Sequence, residues 1–384
     1  MNENVQYVAG FYVRLKKSNG LCAAFFQKNA YTTCMKIVFT GGGTAGHVMP
    51  NIALINSLPD TAQAYYFGCD GMEKTLITRN TDAVFVPIKA AKFKRSLSPS
   101  NLLLPFRLAD SVVKTKKLLS DVSPDVVFAK GGYVSLPVVL AARKLSIPVV
   151  LHESDTTIGL ANKLCARHAY ALLSSFDLAS PPDSVTVGCP VRREIYSANP
   201  EKGLSFMRFD GKKPVLLFLG GSQGALTLNN LATSVDTRLH RKFDIFVICG
   251  KNKKITETST LHAAEFCDNI FDVISASSFC ITRGGANTLC ELCVLNRPFA
   301  VIPLTSSSRG EQTSNARYFA DRGCGALLNP DISPDSLADA VTSLYPKTPL
   351  FKHAQKRLKI DGTDATLDYI FRAASSRSDS ARRR

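Results

Sequence analysis

A histidine directly after a glycine-rich turn is the first group in the chain with the chemistry of an active site. It lies in the stretch MKIVFTGGGTAGHVMP, which runs from Met35 to Pro50. Lys36–Thr40 is a short apolar run rich in β-branched residues, which predicts a buried strand. The glycines break this strand and helical spacing resumes at Val48, so we expect His47 at the start of a helix. An imidazole there would exchange protons near neutral pH, with packing or capping of the helix as the alternative role.

The glycines of this turn suit a bound anion. A glycine turn lets the backbone approach a bound group closely, and the N–H groups of a helix start attract negative charge. Gly41, Gly43 and Gly46 also match the pattern G-x-G-x-x-G. Taken alone, that match would predict a dinucleotide-binding site and an NAD-dependent dehydrogenase.

Similar turns follow other predicted strands along the chain: GGYVS at 131–135, HESD at 152–155, GGSQGA at 220–225 and TRGGANT at 282–288. In open α/β sheets, ligands bind beyond the carboxyl ends of the strands. The turns therefore predict a cleft onto which several helix N-termini point. Because such termini can neutralise a diphosphate, we expect no dissociable metal and no metal-ligand set.

The composition is that of a globular protein with an acidic partner. The chain has 384 residues, 45% of them hydrophobic and 20% charged, and its net charge is +16. This charge favours phosphate-bearing substrates, an anionic membrane or nucleic acid, but the arginines are dispersed and no nucleic-acid motif is present. The 11 cysteines have no framework spacing, which predicts reduced thiols. We interpret Cys290 and Cys293, a single C-x-x-C within an apolar helical stretch, as packing residues rather than a redox or zinc site.

From Met35 onward, apolar strand-like runs alternate with helical stretches, which predicts an α/β protein with doubly wound parallel sheets. The strand-like runs are at 64–67, 84–88, 125–129, 148–152, 214–219, 245–249 and 298–303. We divide the chain into an extension (1–34), an N-terminal domain (35–186), a linker (187–213), a C-terminal domain (214–345) and a C-terminal helix with a basic tail (346–384). We expect no ordered structure over Arg377–Arg384, which is rich in serine and arginine.

Residues 89–107 combine basic side chains with leucines. Lys92, Lys94 and Arg95 precede the run of leucines at 102–104. Basic residues around exposed leucines suit an anionic membrane surface. A loop followed by an ordinary amphipathic helix is the alternative.

Together the motifs closely resemble those of the MurG family of peptidoglycan glycosyltransferases, from Met35 to about residue 345. The matching segments are TGGGTAGHVMP (40–50), KGGYVSLP (130–137), HESD with GLANK (152–163), VGCPVR (187–192), GGSQGALTLN (220–229), RGGANTLCEL (283–292) and RGEQTSNA (309–316). The resemblance implies a GT-B fold, in which two Rossmann-like domains face each other across a cleft. It implies transfer of N-acetylglucosamine from UDP-N-acetylglucosamine to the C4 hydroxyl of undecaprenyl-linked lipid I, with inversion.

The resemblance also implies a location in the cell, further protein partners and a role for each half of the chain. It places the chain peripherally on the cytoplasmic face of the bacterial membrane, with other cell-wall synthesis proteins as further partners. The N-terminal half would handle the lipid acceptor, and the C-terminal half the donor.

Site roles follow from the same resemblance. Thr44, Ala45 and Gly46 match the family's first glycine loop, Arg192 and Ser222 match positions that contact the nucleotide diphosphate, and Gln223 is a further substrate-binding candidate. Glu291 matches the carboxylate on the ribose hydroxyls, and Gln312 a glutamine that faces the donor sugar. His47 is our first choice for the general base and Asp155 the second.

Three residues depart from the family pattern. Ala45 replaces a common glycine, which requires a negative φ at this position. Asp155 replaces a common asparagine and Glu311 a common glutamine, so both bring a carboxylate to the cleft.

Other functions remain possible from the sequence. A diacylglycerol glycosyltransferase would share the glycine–histidine loop, and a UDP-N-acetylglucosamine epimerase would share the fold but release UDP without a lipid acceptor. A sugar-nucleotide-binding scaffold would not need His47, Glu291 and Gln312 together.

The strand–turn–helix pattern begins at Met35, so we expect the extension to contribute little to the fold. Deletion of Met1–Cys34 should leave the melting temperature and the transferase activity nearly unchanged. A loss of several degrees in thermal denaturation would show that the extension packs on the core.

Overall fold

The computed structural model describes residues 34–90, 103–177, 183–221, 225–304 and 310–382. Three sets of residues singled out above lie outside these ranges: the extension up to residue 33, the basic residues Lys92, Lys94 and Arg95, and the donor-loop residues Ser222 and Gln223.

The first half of the chain forms a parallel sheet of 7 strands in the order β3-β2-β1-β4-β5-β6-β7. The strands are β1 (Met35–Thr40), β2 (Ala62–Gly68), β3 (Val84–Pro87), β4 (Val126–Ala129), β5 (Val149–Glu153), β6 (Ala171–Ser174) and β7 (Val185–Thr186). The connecting helices are α1 (Ala45–Ile55), α2 (Met72–Asn80), α3 (Leu104–Val122), α4 (Ser135–Lys144) and α5 (Leu160–Cys165).

The second half forms a parallel sheet of 6 strands in the order β10-β9-β8-β11-β12-β13. The strands are β8 (Val215–Leu219), β9 (Asp244–Ile248), β10 (Leu261–Ala264), β11 (Phe279–Thr282), β12 (Phe299–Val301) and β13 (Ala326–Leu327). Helix α6 (Pro200–Met207) precedes β8. The helices that follow β8 are α7 (Leu226–Leu239), α8 (Ile270–Ala276), α9 (Ala286–Val294), α10 (Glu311–Asp321), α11 (Pro334–Leu344), α12 (Thr348–Arg357) and α13 (Thr363–Arg382).

Both sheets are buried on both faces, which explains their continuous apolar strands. Successive side chains of a strand point to opposite faces. Leu217 and Leu219 of β8 accordingly join one apolar cluster, and Leu216 and Phe218 join the other. The predicted pair of doubly wound parallel sheets is confirmed.

The chain crosses between the halves twice, and the two crossings lie side by side. Cys189 donates its N–H to the Ile360 carbonyl at 2.7 Å, and the Gly362 N–H binds the Cys189 carbonyl at 2.9 Å. Between the first crossing and β8, in the expected linker 187–213, helix α6 packs closely against α8 of the second half.

After the second crossing, the C-terminal segment returns to the first sheet. Buried residues of α13, including Ile370 and Phe371, complete an apolar cluster with Ile37 and Val126 of that sheet. The expectation that Arg377–Arg384 lacks structure was therefore wrong for most of its length, because α13 continues through Arg382.

The cysteines of the described residues are unpaired thiols, as expected. Cys290 and Cys293 are buried in the apolar cores, which confirms their interpretation as packing residues.

Candidate active site

His47 lies in the first turn of α1, directly above the carboxyl end of β1. The Thr44 hydroxyl lies 3.1 Å from His47 Nδ1, and the two atoms share a hydrogen bond. If Nδ1 carries the proton and donates to Thr44, Nε2 is the atom that can accept a proton from a substrate. Ala45 is the first residue of α1, so it has the negative φ that replacement of glycine requires.

The carboxylate of Glu73 holds the first glycine turn in place. It is buried and accepts hydrogen bonds from the N–H of Gly43 and the N–H of Cys69, each at 2.7 Å. A Cβ atom on Gly42 would lie 2.1 Å from this carboxylate, so only glycine fits there. The Gly43 N–H is thus used within the chain. Binding of a diphosphate by the other N–H groups at the start of α1 stays a prediction.

The second glycine turn packs directly against the first. Gly132 has a φ of +79°, and a Cβ there would lie 2.2 Å from the Gly42 carbonyl oxygen and 3.3 Å from His47 Nδ1. Glycine at this position therefore lets the two turns enclose one side of the His47 ring.

The carboxylate of Glu153 organises the next loop of the N-terminal half. One of its oxygens accepts from the N–H groups of Ser154 at 3.0 Å and Asp155 at 3.2 Å. The other accepts from the Gly159 N–H at 2.8 Å and from Asn162 Nδ2 at 2.9 Å. Four donors on one buried carboxylate fix the backbone that carries Asp155.

Asp155 binds a side chain of the opposite half. Asn315 Nδ2, on α10, donates to Asp155 Oδ1 at 3.0 Å. Asp155, the second candidate base, thus uses one carboxylate oxygen for a contact between the halves. The ring of His47, the first candidate, lies beside the two glycine turns.

Arg192 and Glu291 form the charged part of the C-terminal wall. Their Nη2 and Oε1 atoms are 3.8 Å apart, and both side chains are about one-fifth exposed (20% and 18%). The guanidinium also stacks 4.3 Å above the ring centre of Phe271. Burial raises the pKa of Glu291 to about 7, although the nearby Arg192 favours the ionised form. Arg192 and Glu291 line a small crevice together with Met49 and Asn287.

Gln312 is placed at the same edge by the first turn of α10. Its Oε1 accepts from the Leu304 N–H at 3.0 Å, which ties α10 to the end of the segment after β12. Glu311, the other departure in this motif, begins that helix and is half-buried.

Behind the cleft lies a buried pair that sequence reasoning did not find. The Lys130 ammonium donates to His152 Nδ1, and His152 Nε2 lies 2.9 Å from the Gly188 carbonyl oxygen, to which it donates. Burial lowers the pKa of Lys130 to about 8. Burial and the Lys130 charge lower the pKa of His152 well below its usual value, so His152 is neutral and ties the first crossing to β5.

Among the described residues, no group of three or more His, Cys, Asp or Glu side chains could hold a metal ion. In the same part of the chain, none of the helices has both the length and the apolar character needed to cross a membrane.

Comparison with known proteins identifies the family. The chain matches the glycosyltransferase family 28 N-terminal domain over residues 37–174 and the glycosyltransferase family 28 C-terminal domain over residues 215–364. The chain belongs to glycosyltransferase family 28. As a family 28 member with these two domains, it has the GT-B fold and is a glycosyltransferase.

Two curated relatives of the chain bear the same name. The UDP-N-acetylglucosamine–N-acetylmuramyl-(pentapeptide) pyrophosphoryl-undecaprenol N-acetylglucosamine transferase of Lachnospira eligens is 40% identical over 322 residues, covering 81% of this chain and 91% of that protein. The protein of that name from Lachnoclostridium phytofermentans is 37% identical over 334 residues, covering 84% and 94%.

Solved structures confirm the GT-B fold of this family 28 chain. The structure of Acinetobacter baumannii MurG has a TM-score of 0.72 at 23% identity and covers 88% of this chain and 99% of its own. A putative UDP-N-acetylglucosamine 2-epimerase from Listeria monocytogenes has a TM-score of 0.65 at 12% identity, covering 90% and 97%. The fold alone therefore does not separate transferase from epimerase.

The raised pKa of Glu291 predicts how binding of the expected donor, UDP-N-acetylglucosamine, depends on pH. Below about pH 7 the carboxyl is neutral, and above it the carboxylate can accept from both ribose hydroxyls. The Kd of the donor should therefore fall as the pH rises through 7, as measured by titration calorimetry. Glu291→Ala should weaken donor binding by roughly 2–3 kcal/mol and remove this pH dependence.

The exposed Glu201 of α6 provides the control, because Glu201→Gln should retain both the affinity and its pH dependence. Donor affinity that ignores pH in the unmodified protein would contradict the assignment of Glu291.

Proposed function

We propose that this chain transfers N-acetylglucosamine from UDP-N-acetylglucosamine to the C4 hydroxyl of the N-acetylmuramoyl-pentapeptide of lipid I, which gives lipid II. The observation that carries the proposal is the position of His47 and Glu291 on opposite halves of one cleft. Asn287, on the helix of Glu291, donates to the Gly46 carbonyl at 2.9 Å, so the two sets of groups adjoin. Relatives that share 36–40% identity over most of the chain bear the name of this activity.

The reaction is a single displacement at the anomeric carbon. The acceptor C4 oxygen forms the new bond while the bond between the anomeric carbon and the β-phosphate oxygen of UDP breaks. His47 Nε2 takes the hydroxyl proton, and the UDP leaves with the electron pair of the broken bond. Attack opposite to the leaving group gives a β-1,4 linkage.

The leaving diphosphate needs positive charge, which the C-terminal half offers without a metal ion. Arg192 is a fixed cation at the cleft, and α9 begins at Ala286 with its N–H groups unbonded within the helix. Both stabilise negative charge that develops on the β-phosphate. We therefore propose that no metal is required.

The direct test is incubation of the full chain with UDP-N-acetylglucosamine and a lipid I analogue in the presence of EDTA. We expect one molecule of UDP for each disaccharide-lipid formed, at a rate that EDTA does not change. Release of UDP with free sugar or an epimer, independent of the acceptor, would instead indicate the epimerase reaction. Loss of activity in EDTA that Mg²⁺ restores would contradict the metal-free mechanism.

The choice between His47 and Asp155 as base is testable by pH profiles. His47→Ala should lower kcat by about 10²–10⁴ and leave substrate affinity largely intact. Asp155→Asn should retain most of the rate, because an amide can still accept the hydrogen bond of Asn315 at this position.

These profiles must be recorded at saturating donor. Glu291, with a pKa of about 7, would produce an acidic limb in kcat/KM even if the base did not titrate. At saturating donor, the limb that remains in kcat should report a group near the histidine reference value of about 6.5. An inactive Asp155→Asn enzyme beside an active His47→Ala enzyme would transfer the base role to Asp155.

We further propose that the N-terminal half docks on the anionic cytoplasmic face of the membrane. Helix α3 exposes Phe106 (74%) and Val113 (65%), and α5, which like α3 packs against α4, exposes Leu160 (63%). Basic residues lie on the same elements or on the adjoining α4: Arg107, Lys114, Arg143, Lys144 and Lys163. We call the three apolar side chains the apolar patch. Contacts with other cell-wall synthesis proteins, and the membrane role of Lys92, Lys94 and Arg95, stay predictions.

Substitution of the apolar patch tests the membrane proposal. Phe106→Ser with Val113→Ser should weaken binding to phosphatidylglycerol vesicles by at least about tenfold, since each buried apolar side chain contributes roughly 1.5–3 kcal/mol. Turnover of a short-chain soluble acceptor should not change. Phe266→Ser, which alters an exposed phenylalanine (63%) of the other half, is the matched control. Equal vesicle binding by both variants would rule out this face.

A further inference from the structure

Two asparagine side chains of the C-terminal half reach across the cleft to loops of the N-terminal half. Asn315 lies on α10 and Asn287 in the first turn of α9. Neither takes part in the proton transfer or diphosphate stabilisation derived above.

The Asn315 amide is completely buried and makes four hydrogen bonds. Its Nδ2 donates to Asp155 Oδ1 and to the Gly284 carbonyl, each at 3.0 Å. Its Oδ1 accepts from the Thr156 N–H at 2.9 Å and from Thr156 Oγ1 at 3.0 Å. A backbone N–H can only donate and a carbonyl can only accept, so just one orientation of the amide satisfies all its partners. Three of its four bonds cross between the halves.

Asn287 makes the second connection, next to the candidate base. Its Nδ2 donates to the Gly46 carbonyl at 2.9 Å, and this carbonyl belongs to the peptide immediately before His47. Glu291 is four residues further along α9 and thus on the same face of the helix. Asn287 therefore holds the backbone next to His47 against α9, the helix that carries Glu291.

The other connections between the halves among the described residues are less directional. Phe176, which follows β6, packs on Tyr318 and Phe319 of α10 with ring centres 4.6 and 5.5 Å apart, and apolar contacts have no preferred direction. The paired crossings at Cys189 and Ile360–Gly362 join the halves along one line. An ion pair between Arg79 and Asp268 also spans the halves at 2.7 Å, but both side chains are mostly exposed, and such pairs stabilise little. The buried, fully bonded Asn315 amide, together with the half-buried Asn287, is better suited to fix one closed arrangement.

We propose that Asn315 and Asn287 are positioning residues that form an interdomain clasp, which holds the cleft in the closed arrangement needed for transfer. In the clasp, Asn315 has Asp155 and Thr156 as its partners across the cleft. Asn287 has the Gly46 carbonyl, and the Ser154 hydroxyl, which donates to its Oδ1 at 3.4 Å. The clasp rests on the proposed function, because closure brings the acceptor-side base to the donor. It assigns Asp155 a role in closure rather than in proton transfer.

A charge exchange between Asp155 and Asn315 tests the clasp. In Asn315→Asp the new carboxylate still accepts from Thr156 but faces the carboxylate of Asp155. Adding Asp155→Asn replaces this repulsion with an amide donor, while the bond to the Gly284 carbonyl is absent in both variants. The comparison therefore isolates the contact between the halves.

We expect Asn315→Asp to lower kcat/KM by about 10- to 100-fold, as expected for a small misplacement of reacting groups. The Kd for UDP alone should remain nearly unchanged, because Arg192 and Glu291 are intact. The double variant should recover most of the lost activity. Arg317→Ala, at an exposed position of the same helix, is the control and should behave like the unmodified protein.

Small-angle X-ray scattering of the full chain gives a readout that does not depend on the acceptor. Asn315→Asp should have a larger radius of gyration than the unmodified protein, and the double variant a smaller one than Asn315→Asp. If Asn315→Asp does not fold, Thr156→Val, which removes only the hydroxyl donor, should show a smaller loss of kcat/KM in the same direction.

Two results would overturn the clasp: unchanged kcat/KM and radius of gyration in Asn315→Asp, or a double variant no better than Asn315→Asp. Failure of the unmodified protein to use a lipid I analogue would contradict the proposed function instead, and the scattering comparison would still decide the clasp.

Discussion

Two buried carboxylates anchor the loops on which the N-terminal side of the cleft depends. Glu73 accepts the N–H groups of Gly43 and Cys69, and Glu153 accepts those of Ser154, Asp155 and Gly159. Hydrogen bonds to a charged acceptor contribute about 1.5–3 kcal/mol each. They hold the loops before any substrate arrives, so the C-terminal half meets a preformed surface.

A glycine turn can bind an anion through its N–H groups, or it can place a neighbouring side chain. In a dinucleotide-binding protein, the N–H groups of the turn bind a diphosphate. Here the Gly43 N–H binds Glu73, and the turn serves to place His47. In the proposed mechanism, positive charge for the diphosphate is on the other half, at Arg192 and the start of α9. The proposed mechanism thus takes proton acceptance and leaving-group stabilisation from different domains, and on this proposal neither domain alone would form the complete active site.

The sequence predicts the elements that are set by local composition. Apolar runs place β1, β4, β5 and β8 within one or two residues of their observed bounds. It does not reveal β6 or β10, because their sequences, ALLS and LHAA, contain none of the β-branched residues, phenylalanines or tyrosines that mark most of the other strands. The continuation of α13 to Arg382 depends on packing of its apolar face against the distant first sheet, which composition does not show.

Some residues of the candidate site could likewise be predicted from the sequence, and others required the fold. His47, Arg192 and Glu291 lie in recognisable motifs and meet at the cleft, whereas Ser222 and Gln223 lie outside the described residues. Glu73 and the contact of Asn315 with Asp155 could not be predicted, because their partners lie 30 and 160 residues away in sequence. The raised pKa of Glu291 results from burial and likewise requires the fold.

The central claim is that the acceptor hydroxyl on one half attacks the donor sugar on the other in a single displacement. Nuclear magnetic resonance of the lipid-linked disaccharide, made by the full chain from UDP-N-acetylglucosamine and a lipid I analogue, tests this most directly. The account predicts a large coupling between H1 and H2 of the transferred sugar, which identifies a β configuration. It also predicts a long-range correlation from this H1 to C4 of the acceptor sugar, which identifies the position of the linkage. A small coupling, which identifies an α linkage, would contradict it, because retention of configuration requires a different use of the cleft.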